Sequence, residues 1–271
     1  MTHDLHPELA ASLQRAHAPL RVLQVGAGGN GSKLLMGLHH LHEALVAYGF
    51  AGLHVTLADG DTVSESNLAR QSFWPADLGR NKATTLIGRL NLAAGHDWTA
   101  LPEHLTTRHQ IPTDIVISCV DSRAARAIVA ERATDQNRSY HQQPYYWIDL
   151  GNTSRGGQVV LGQPANARNR PSATRLRCAH ELFPEIADAT QGEDDAPSCG
   201  TIEAIERQDL FLNDMLALQA LNLLWNLLRY RTLSTHGAFV TSSTGLCTPI
   251  PIDLRYWRRL ARRTAPTTTS A

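Results

Sequence analysis

The sequence predicts an α/β protein with a Rossmann-like, mostly parallel sheet flanked by helices, and with antiparallel C-terminal strands that extend the sheet. Short, continuously apolar segments alternate with segments whose apolar residues recur at helical spacing, which is typical of parallel strands joined by crossover helices. After residue 151 this alternation gives way to a hairpin-like segment and later strand-like segments. A glycine cluster that ends the first apolar segment is typical of the same fold class.

The predicted strands are short and apolar, and most end in glycine or in an acidic residue. They cover residues 21–26, 53–59, 114–121 and 145–151. The predicted helices cover residues 5–17, the segment after the glycine cluster through Tyr48, residues 79–95 and residues 122–135. Because parallel strands present their carboxyl ends at one edge, we expect a ligand site there, formed by the glycine turn, Asp59, Asp61, Asp121 and Asp149.

The C-terminal half has a different pattern. Residues 153–164 predict an antiparallel hairpin, and the polar residues 164–200 predict a long, partly mobile loop. Residues 202–230 predict one or two helices, buried in the core or in a subunit interface because they are apolar nearly all round. Two further strands are predicted over residues 237–245 and 247–254.

The composition is that of an ordinary globular protein, with 42% hydrophobic and 18% charged residues. The 25 basic residues balance the 25 acidic ones, so we expect neither nucleic acid nor a membrane as a partner. No apolar run approaches the ~20 residues of a spanning helix, and the first residues lack a hydrophobic signal core, which predicts a cytoplasmic protein. We expect a single domain over residues 1–271, with a nucleotide-binding core at 20–150, a partner-binding and dimer part at 151–260 and a flexible tail at 261–271.

The glycine cluster "GAGGNG" has the spacing of a nucleotide-binding turn. Gly26 allows a tight turn, Gly28 allows the backbone to approach a phosphate, and Gly31 allows the next helix to pack closely on the strand. The amino end of that helix favours an anion. Taken alone, the turn favours NAD. However, Asp59 follows Gly31 by 28 positions, which is longer than the spacing of about 20 in dinucleotide-binding proteins.

The residues after the second strand favour ATP instead. Carboxylates suit a ribose or a metal, and Asn, Arg, Gln and Lys side chains are donors that suit phosphates. Lysine occurs only at Lys33 and Lys82, so its use within this segment is itself informative. Together with Asp121, the set predicts a site for Mg²⁺ and a triphosphate, and it consists of Asp59, Asp61, Asn67, Arg70, Gln71 and Lys82.

Four motifs resemble, in order, the adenylation core of the ThiF/MoeB superfamily, whose members are relatives of ubiquitin-activating enzymes. They are "GAGGNGS", "ADGDTVSESNLARQ", "GRNKA" and "ISCVDSRAAR". Within that superfamily the sequence is most similar to the ThiF-type family of the PRTRC plasmid systems. The resemblance covers residues 20–130 and continues more weakly through "PSCGTIEAI".

The resemblance implies a homodimeric enzyme that binds MgATP and the C-terminal carboxylate of a small ubiquitin-like protein, forms an acyl-adenylate and releases pyrophosphate. Gly28 and Gly29 would lie against the nucleotide, and Asp59 would hold the ribose. The phosphates would be contacted by Asn67, Arg70, Gln71 and Lys82, and Asp121 would hold Mg²⁺. Arg70, Lys82 and Asp121 are therefore the implied catalytic residues. An arginine of the partner subunit would complete the site, and Arg15 and Arg21 are candidates.

The cysteines raise two further questions. Cys199 stands where related enzymes carry a cysteine that takes up the activated partner, so it is either a thioester-forming nucleophile or a loop cysteine without chemistry. Related proteins often bind zinc through two CxxC pairs, which this sequence lacks. Cys178, His180 and Cys247 could form a remnant site, but we do not expect zinc and favour buried, inert cysteines. We also expect His6, His39, His40 and His42 at the surface rather than as metal ligands.

Three other functions are compatible with parts of the sequence. An NAD-dependent oxidoreductase would use the same glycine turn, although it has no need of the donors between Asn67 and Lys82. A catalytically inactive ThiF-like scaffold would bind a nucleotide or a partner without turnover. Adenylation of a tRNA, as in some related enzymes, would require a basic face that the sequence does not indicate.

Overall fold

The computed structural model describes residues 1–15, 18–172, 174–188, 190 and 208–263. The strands are β1 (His3–Asp4), β2 (Leu20–Val25), β3 (Leu53–Ala58), β4 (Thr99–Leu101), β5 (Ile115–Ser118), β6 (Tyr146–Asn152), β7 (Gly156–Gly162), β8 (Thr232–Leu233), β9 (Thr235–Thr241) and β10 (Leu246–Pro251). The helices are α1 (Pro7–Leu13), α2 (Gly29–Ala47), α3 (Lys82–Ala94), α4 (Arg123–Thr134), α5 (Ala179–Leu182), α6 (Leu212–Tyr230) and α7 (Leu254–Arg263). In the described part of the chain, no helix combines the length and the apolar character needed to cross a membrane.

Eight strands form one sheet in the order β10-β9-β7-β6-β5-β2-β3-β4. The strands from β6 to β4 in this order pair in parallel, whereas β7, β9 and β10 continue the sheet from β6 in antiparallel fashion. β1 and β8 form a separate two-stranded ribbon. The predicted fold class, a mostly parallel sheet with antiparallel C-terminal strands, is therefore confirmed.

The central strands are buried on both faces, which explains why their sequences are continuously apolar rather than alternating. On one face, Leu23 and Val116 pack with Trp147 and with Val129 of α4. On the other face, Val22 and Ile115 belong to the larger core to which α2, α3 and α6 contribute. The sheet thus separates two apolar layers, and helices close both of them.

The helices α2 and α6 lie side by side on the same face of the sheet. They pack so closely that a methyl group on Gly37 of α2 would overlap the side chain of Leu221 in α6. Leu216 and Leu224 of α6 are fully buried in the core, whereas Leu218 is exposed. The apolar segment predicted as core or interface is therefore largely core.

The region after residue 164 differs from its prediction. Residues 164–172 and 174–188 are held against the rest of the protein by hydrogen bonds rather than forming a partly mobile loop. The side-chain amide of Asn166 donates hydrogen bonds of 2.9 Å to the carbonyl oxygens of Ala133 and Pro144. Arg168 is buried and donates a 3.1 Å hydrogen bond to Asp114. The polar composition of this segment therefore reflects buried hydrogen bonds as well as contact with solvent.

One side chain was placed wrongly by the sequence. Asp149 does not end its strand, because β6 continues to Asn152 and turns into the antiparallel β7. Its carboxylate is buried and accepts hydrogen bonds from Nε of Arg126 at 2.9 Å and from Oγ of Ser118 at 2.5 Å, so it stabilises the sheet from within the core.

The packing of α2 predicts a large stability difference between two leucine substitutions. Leu38 of α2 is fully buried, so Leu38→Ala leaves a cavity and should lower the free energy of unfolding by about 3 kcal/mol. Leu92 of α3 is 90% exposed, so Leu92→Ala should change it by less than about 0.5 kcal/mol. Urea unfolding followed by circular dichroism measures both values. Equal losses in the two variants would contradict the packing described for α2.

Candidate active site

The turn between β2 and α2 requires glycine at two positions. Gly26 has a φ of 96°, and a methyl group there would lie 2.6 Å from the carbonyl oxygen of Cys119 at the end of β5. A methyl group on Gly31 would overlap the carbonyl oxygen of Gly26. The buried amide of Gln24 reinforces the turn, since its Nε2 donates to the carbonyl oxygens of Gly31 at 2.9 Å and of Gly26 at 3.1 Å. The helix therefore begins directly against the strand.

The amino end of α2 is open to a ligand. Gly28 is the N-cap and provides no side-chain cap, and a methyl group there would meet no atom within 4 Å. The N–H groups of the first turn have no partners within the helix, so they are available to an anion in this open space. These observations fit a phosphate at the glycine turn.

A first chain of contacts runs from the glycine turn to Lys82. The carboxylate of Asp59 accepts hydrogen bonds from the N–H of Ala27 at 2.6 Å and from the N–H of Asp61 at 2.8 Å. Burial raises the pKa of Asp59, and the two N–H donors act in the opposite direction. The carboxylate of Asp61 in turn lies 3.2 Å from Nζ of Lys82, the buried first residue of α3. Asp61 also lies 3.7 Å from the exposed His104.

A second chain of contacts runs from the glycine turn to Arg70. The side chain of Asn213, near the start of α6, approaches Gly29 so closely that a methyl group there would lie 2.5 Å from its Nδ2. The same Nδ2 donates to Oε1 of Gln208 at 3.3 Å, and Gln208 accepts a 2.8 Å hydrogen bond from Nη1 of Arg70. One series of contacts therefore connects the glycine turn to Lys82, and another connects it to Arg70.

The loop that carries Arg70 is fixed against α2. Asn67 is buried, and its Oδ1 accepts hydrogen bonds from the N–H and the hydroxyl of Ser64, so part of its side chain shapes the loop. The N–H of Ser72 donates to Oγ of Ser32 in α2 at 3.1 Å. Gln71, between them, has a buried Oε1 without a hydrogen-bond partner among the described residues. The structure thus brings Asn67, Arg70 and Gln71 to the side of the α2 amino end.

Asp121 and the remaining sequence-predicted residues take different positions. Asp121 is exposed and follows β5, the strand beside β2, so it lies at the same edge of the sheet as the glycine turn. Cys199 lies outside the described residues. Lys33 forms a 3.4 Å ion pair with Asp214 of α6 and so joins two helices. Arg21 forms a close ion pair with Asp114 at 2.7 Å, and its charge is already balanced within its own chain.

Gln208 and Asn213 were missed by the sequence analysis, although they line the site through Gly29 and Arg70. They come from a part of the chain more than 130 positions beyond Arg70, as the separation of 138 between Arg70 and Gln208 shows. The signal available in the sequence was that the side-chain amides of Gln208 and Asn213 lie in the polar segment where the long apolar helix begins.

The candidate zinc ligands do not come together. Cys178 is buried, and burial raises its pKa well above the usual range. Cys247 is exposed on β10, and His180 stacks on Trp147 with ring centres 5.2 Å apart. Among the described residues, the grouping of three potential ligands is a different one, formed by His39, Glu43 and His96. Three of the histidines expected at the surface, His6, His39 and His42, are half-buried.

The chain belongs to the ThiF family, whose sequence model matches residues 4–244. It is 29% identical over 143 residues to the adenylyltransferase and sulfurtransferase UBA4 of Yarrowia lipolytica. This alignment covers 48% of this chain and 32% of UBA4. It is 30% identical over 152 residues to the probable adenylyltransferase/sulfurtransferase MoeZ of Mycobacterium tuberculosis. This alignment covers 54% of this chain and 35% of MoeZ. The aligned part is thus about a third of the length of these curated relatives.

Solved structures share the fold. PaaA superposes with a TM-score of 0.55 at 15% identity, and Escherichia coli MccB with ATP superposes with a TM-score of 0.54 at 16% identity. Each comparison covers 90% of this chain and 66% of the solved chain. These structures show the fold, and the family match over residues 4–244 confirms the predicted resemblance to the ThiF/MoeB superfamily.

The contacts of Glu181, three residues after Cys178, predict an acid-sensitive contribution to stability. Burial alone would raise the pKa of Glu181, but hydrogen bonds from Arg175 and from the N–H of Cys178 outweigh it and lower the pKa from 4.5 to about 2. The ionised carboxylate therefore stabilises the fold above pH 4.5, and this stabilisation is lost as the pH falls towards 2. Glu181→Gln should cost up to about 3 kcal/mol near neutral pH, at 1.36 kcal/mol per pKa unit, and progressively less at lower pH.

Urea midpoints measured across this pH window test the expectation, with the exposed Glu131→Gln as the control. A difference between Glu181→Gln and the unsubstituted protein that stays constant from neutral pH to the acid end would contradict it, as would an equal effect of the control.

Proposed function

We propose that this protein is an adenylyltransferase that uses ATP to activate the C-terminal carboxylate of a small ubiquitin-like or sulfur-carrier protein. The observation that carries the proposal is the position of Lys82 and Arg70 beside the open amino end of α2. Lys82 is linked to it through Asp61, and Arg70 is linked to it through Gln208. Two cations beside a phosphate-binding turn suit a reaction that brings two anions together. Membership of the ThiF family and the adenylyltransferase names of UBA4 and MoeZ support the same reaction.

In this proposal the nucleotide lies along the carboxyl edge of the parallel strands. It packs against the glycine turn, whose glycines are Gly26, Gly28, Gly29 and Gly31. Asp59 accepts a hydrogen bond from the ribose, and Asp61 holds the amino group of Lys82 in place. The phosphates are bound by the N–H groups at the start of α2 and by the side chains of Asn67, Arg70, Gln71 and Lys82.

Mg²⁺ fits the donor set at this edge. Magnesium in nucleotide sites is usually held by one or two carboxylates together with phosphate oxygens and water. In this proposal Asp121 is the carboxylate ligand, since it is exposed and follows β5 at the same edge of the sheet as the glycine turn. When bound, the ion would offset negative charge on the phosphates.

The reaction needs no proton transfer at the attacking group. An oxygen of the ionised carboxylate of the partner forms a bond to the α-phosphorus of ATP, and the bond between the α-phosphorus and the bridging oxygen breaks. Pyrophosphate leaves with that electron pair, and an acyl-adenylate remains. Lys82 and Arg70 hold the phosphates in line and stabilise the charge that moves onto the leaving group.

We further propose that this protein belongs to the PRTRC-type ThiF family and forms a homodimer in the cytoplasm. This proposal rests on the resemblance to the homodimeric enzymes of the ThiF/MoeB superfamily.

Substitution of Lys82 predicts a loss of adenylation without a loss of folding. Lys82→Gln should lower ATP–pyrophosphate exchange on the order of 100-fold, because it removes a preorganised cation from the reacting phosphates. Exchange is measured with each small protein encoded beside this gene. Arg80→Gln is the matched control, since Arg80 is an exposed cation in the same "GRNKA" segment and should keep nearly full exchange.

Absence of exchange with every candidate partner would favour the scaffold alternative, and normal exchange in Lys82→Gln would contradict the role of Lys82. Thermal stabilisation by NAD, but not by MgATP, would overturn the proposal in favour of an oxidoreductase.

We also propose that Cys199 accepts the activated partner. Its thiol loses a proton to solvent, the sulfur forms a bond to the carbonyl carbon, and AMP leaves with the electron pair of the broken bond. Cys119 and Cys178 are buried, and burial raises the pKa of both thiols, which disfavours the nucleophilic thiolate.

Cys199→Ala should therefore spare ATP–pyrophosphate exchange and abolish a thiol-sensitive conjugate with the partner, as seen on non-reducing gels. Cys247→Ala is the control, since Cys247 is an exposed cysteine on β10. Persistence of the conjugate in Cys199→Ala would show that Cys199 is not the acceptor.

A further inference from the structure

A cluster of three potential metal ligands lies outside the proposed nucleotide site. His39 and Glu43 are one turn apart on α2 and project from the same side of the helix. His96 follows the end of α3, and its Nε2 lies 2.8 Å from Nδ1 of His39. Nδ1 of His39 lies 3.8 Å from Oε1 of Glu43, and the ligand atoms of all three side chains lie within 4.8 Å of one another.

We propose that His39, Glu43 and His96 bind a divalent transition metal of the zinc class. Two imidazoles and one carboxylate are ligands that Zn²⁺ accepts, and an open fourth position would be filled by water. Ligands bound tetrahedrally at 2.0–2.1 Å are about 3.3 Å apart. The separations of 2.8 and 3.8 Å from Nδ1 of His39 lie on either side of this value, and the ligand atoms of Glu43 and His96 lie within 4.8 Å of each other, so side-chain rotations would close the site around an ion.

Neighbouring residues hold His96 in position. The left-handed Gly95, with a φ of 71°, ends α3 and directs the chain to His96. The ring of His96 stacks on the buried Trp98 with centres 4.4 Å apart and planes at 11°, and Nε1 of Trp98 donates a 3.0 Å hydrogen bond to the carbonyl oxygen of Leu53. The ring of His42 packs against His96 at 4.6 Å. Such outer contacts fix the orientation of a metal-binding imidazole.

The charges around the cluster suit a cation. Burial lowers the pKa of His96, and the nearby His42 and His39 act in the same direction, which favours the neutral, metal-binding form of its imidazole. Glu43 adds a carboxylate whose side chain is 55% exposed, which leaves a path for the ion from solvent. Without a metal, the same arrangement is a hydrogen bond between the imidazoles of His39 and His96.

The proposed metal site is independent of adenylation. α2 begins at the glycine turn, and His39 lies ten positions after Gly29, or about 15 Å along the helix. His96 likewise follows the end of α3, whose first residue is Lys82. A bound metal would therefore connect α2 to the segment between α3 and β4 at a distance from the nucleotide.

Titration of the tag-free, chelator-treated full chain tests the proposal. Co²⁺ should give the visible absorption bands of a four-coordinate site, saturating at one ion per chain, and Zn²⁺ should displace it. His39→Gln and His96→Gln should each weaken Zn²⁺ binding on the order of 100-fold, and Glu43→Gln about 10-fold. His40→Gln is the matched control, because His40 is an exposed imidazole next to His39 on the same helix and should leave the affinity unchanged.

Circular dichroism and urea midpoints without metal establish that each variant is folded. If a histidine variant fails to fold, the exposed pair Glu43→Gln and His40→Gln decides the question by the rise in Tm that Zn²⁺ produces in each. The proposal is overturned if Co²⁺ gives no four-coordinate bands, if the folded histidine variants bind Zn²⁺ as tightly as the unsubstituted protein, or if His40→Gln weakens binding as much as His39→Gln.

Discussion

The close approach of the first turn of α2 to the carbonyl of Gly26 is the constraint on which the rest of the structure depends. Because no side chain fits at Gly31, the helix starts directly on the end of β2, and the buried amide of Gln24 holds the two together. This placement leaves the amino end of α2 open and directs the helix along α6. The proposed nucleotide site and the main helical layer thus depend on one backbone contact.

The site balances buried charge with neighbouring donors. The carboxylate of Asp59 would be costly to bury alone, but it accepts two backbone N–H groups, one of them from the glycine turn. The carboxylate of Asp61 likewise pairs with the amino group of Lys82, and the side-chain amide of Gln208 accepts a hydrogen bond from Arg70. Asp59, Lys82 and Arg70 are therefore each held by a partner within the chain, which is the preorganisation that the proposed phosphoryl chemistry requires.

The sequence was sufficient for the parallel core and for the part of the site that is local in the chain. Its strands and crossover helices have strong periodic patterns, and the residues from Asp59 to Lys82 form one continuous segment. Contacts between distant segments could not be predicted, as Gln208 beside Arg70 and His96 beside His39 illustrate. Asp149 was misplaced because an acid inside a strand and one at its end are alike in sequence, and the distinguishing partner, Arg126, lies 23 positions away. The short strands β1, β4 and β8 have too few residues for a periodic signal.

The order of the strands leaves β4 and β10 as the free edges of the large sheet. β4 is three residues long and offers few backbone groups to another strand. β10 contains Pro249 and Pro251, which lack the N–H that an added strand would need. Short or proline-containing edges discourage pairing with strands of other molecules. Among the described residues, the wide sheet therefore offers no long, regular edge on which chains could associate into aggregates.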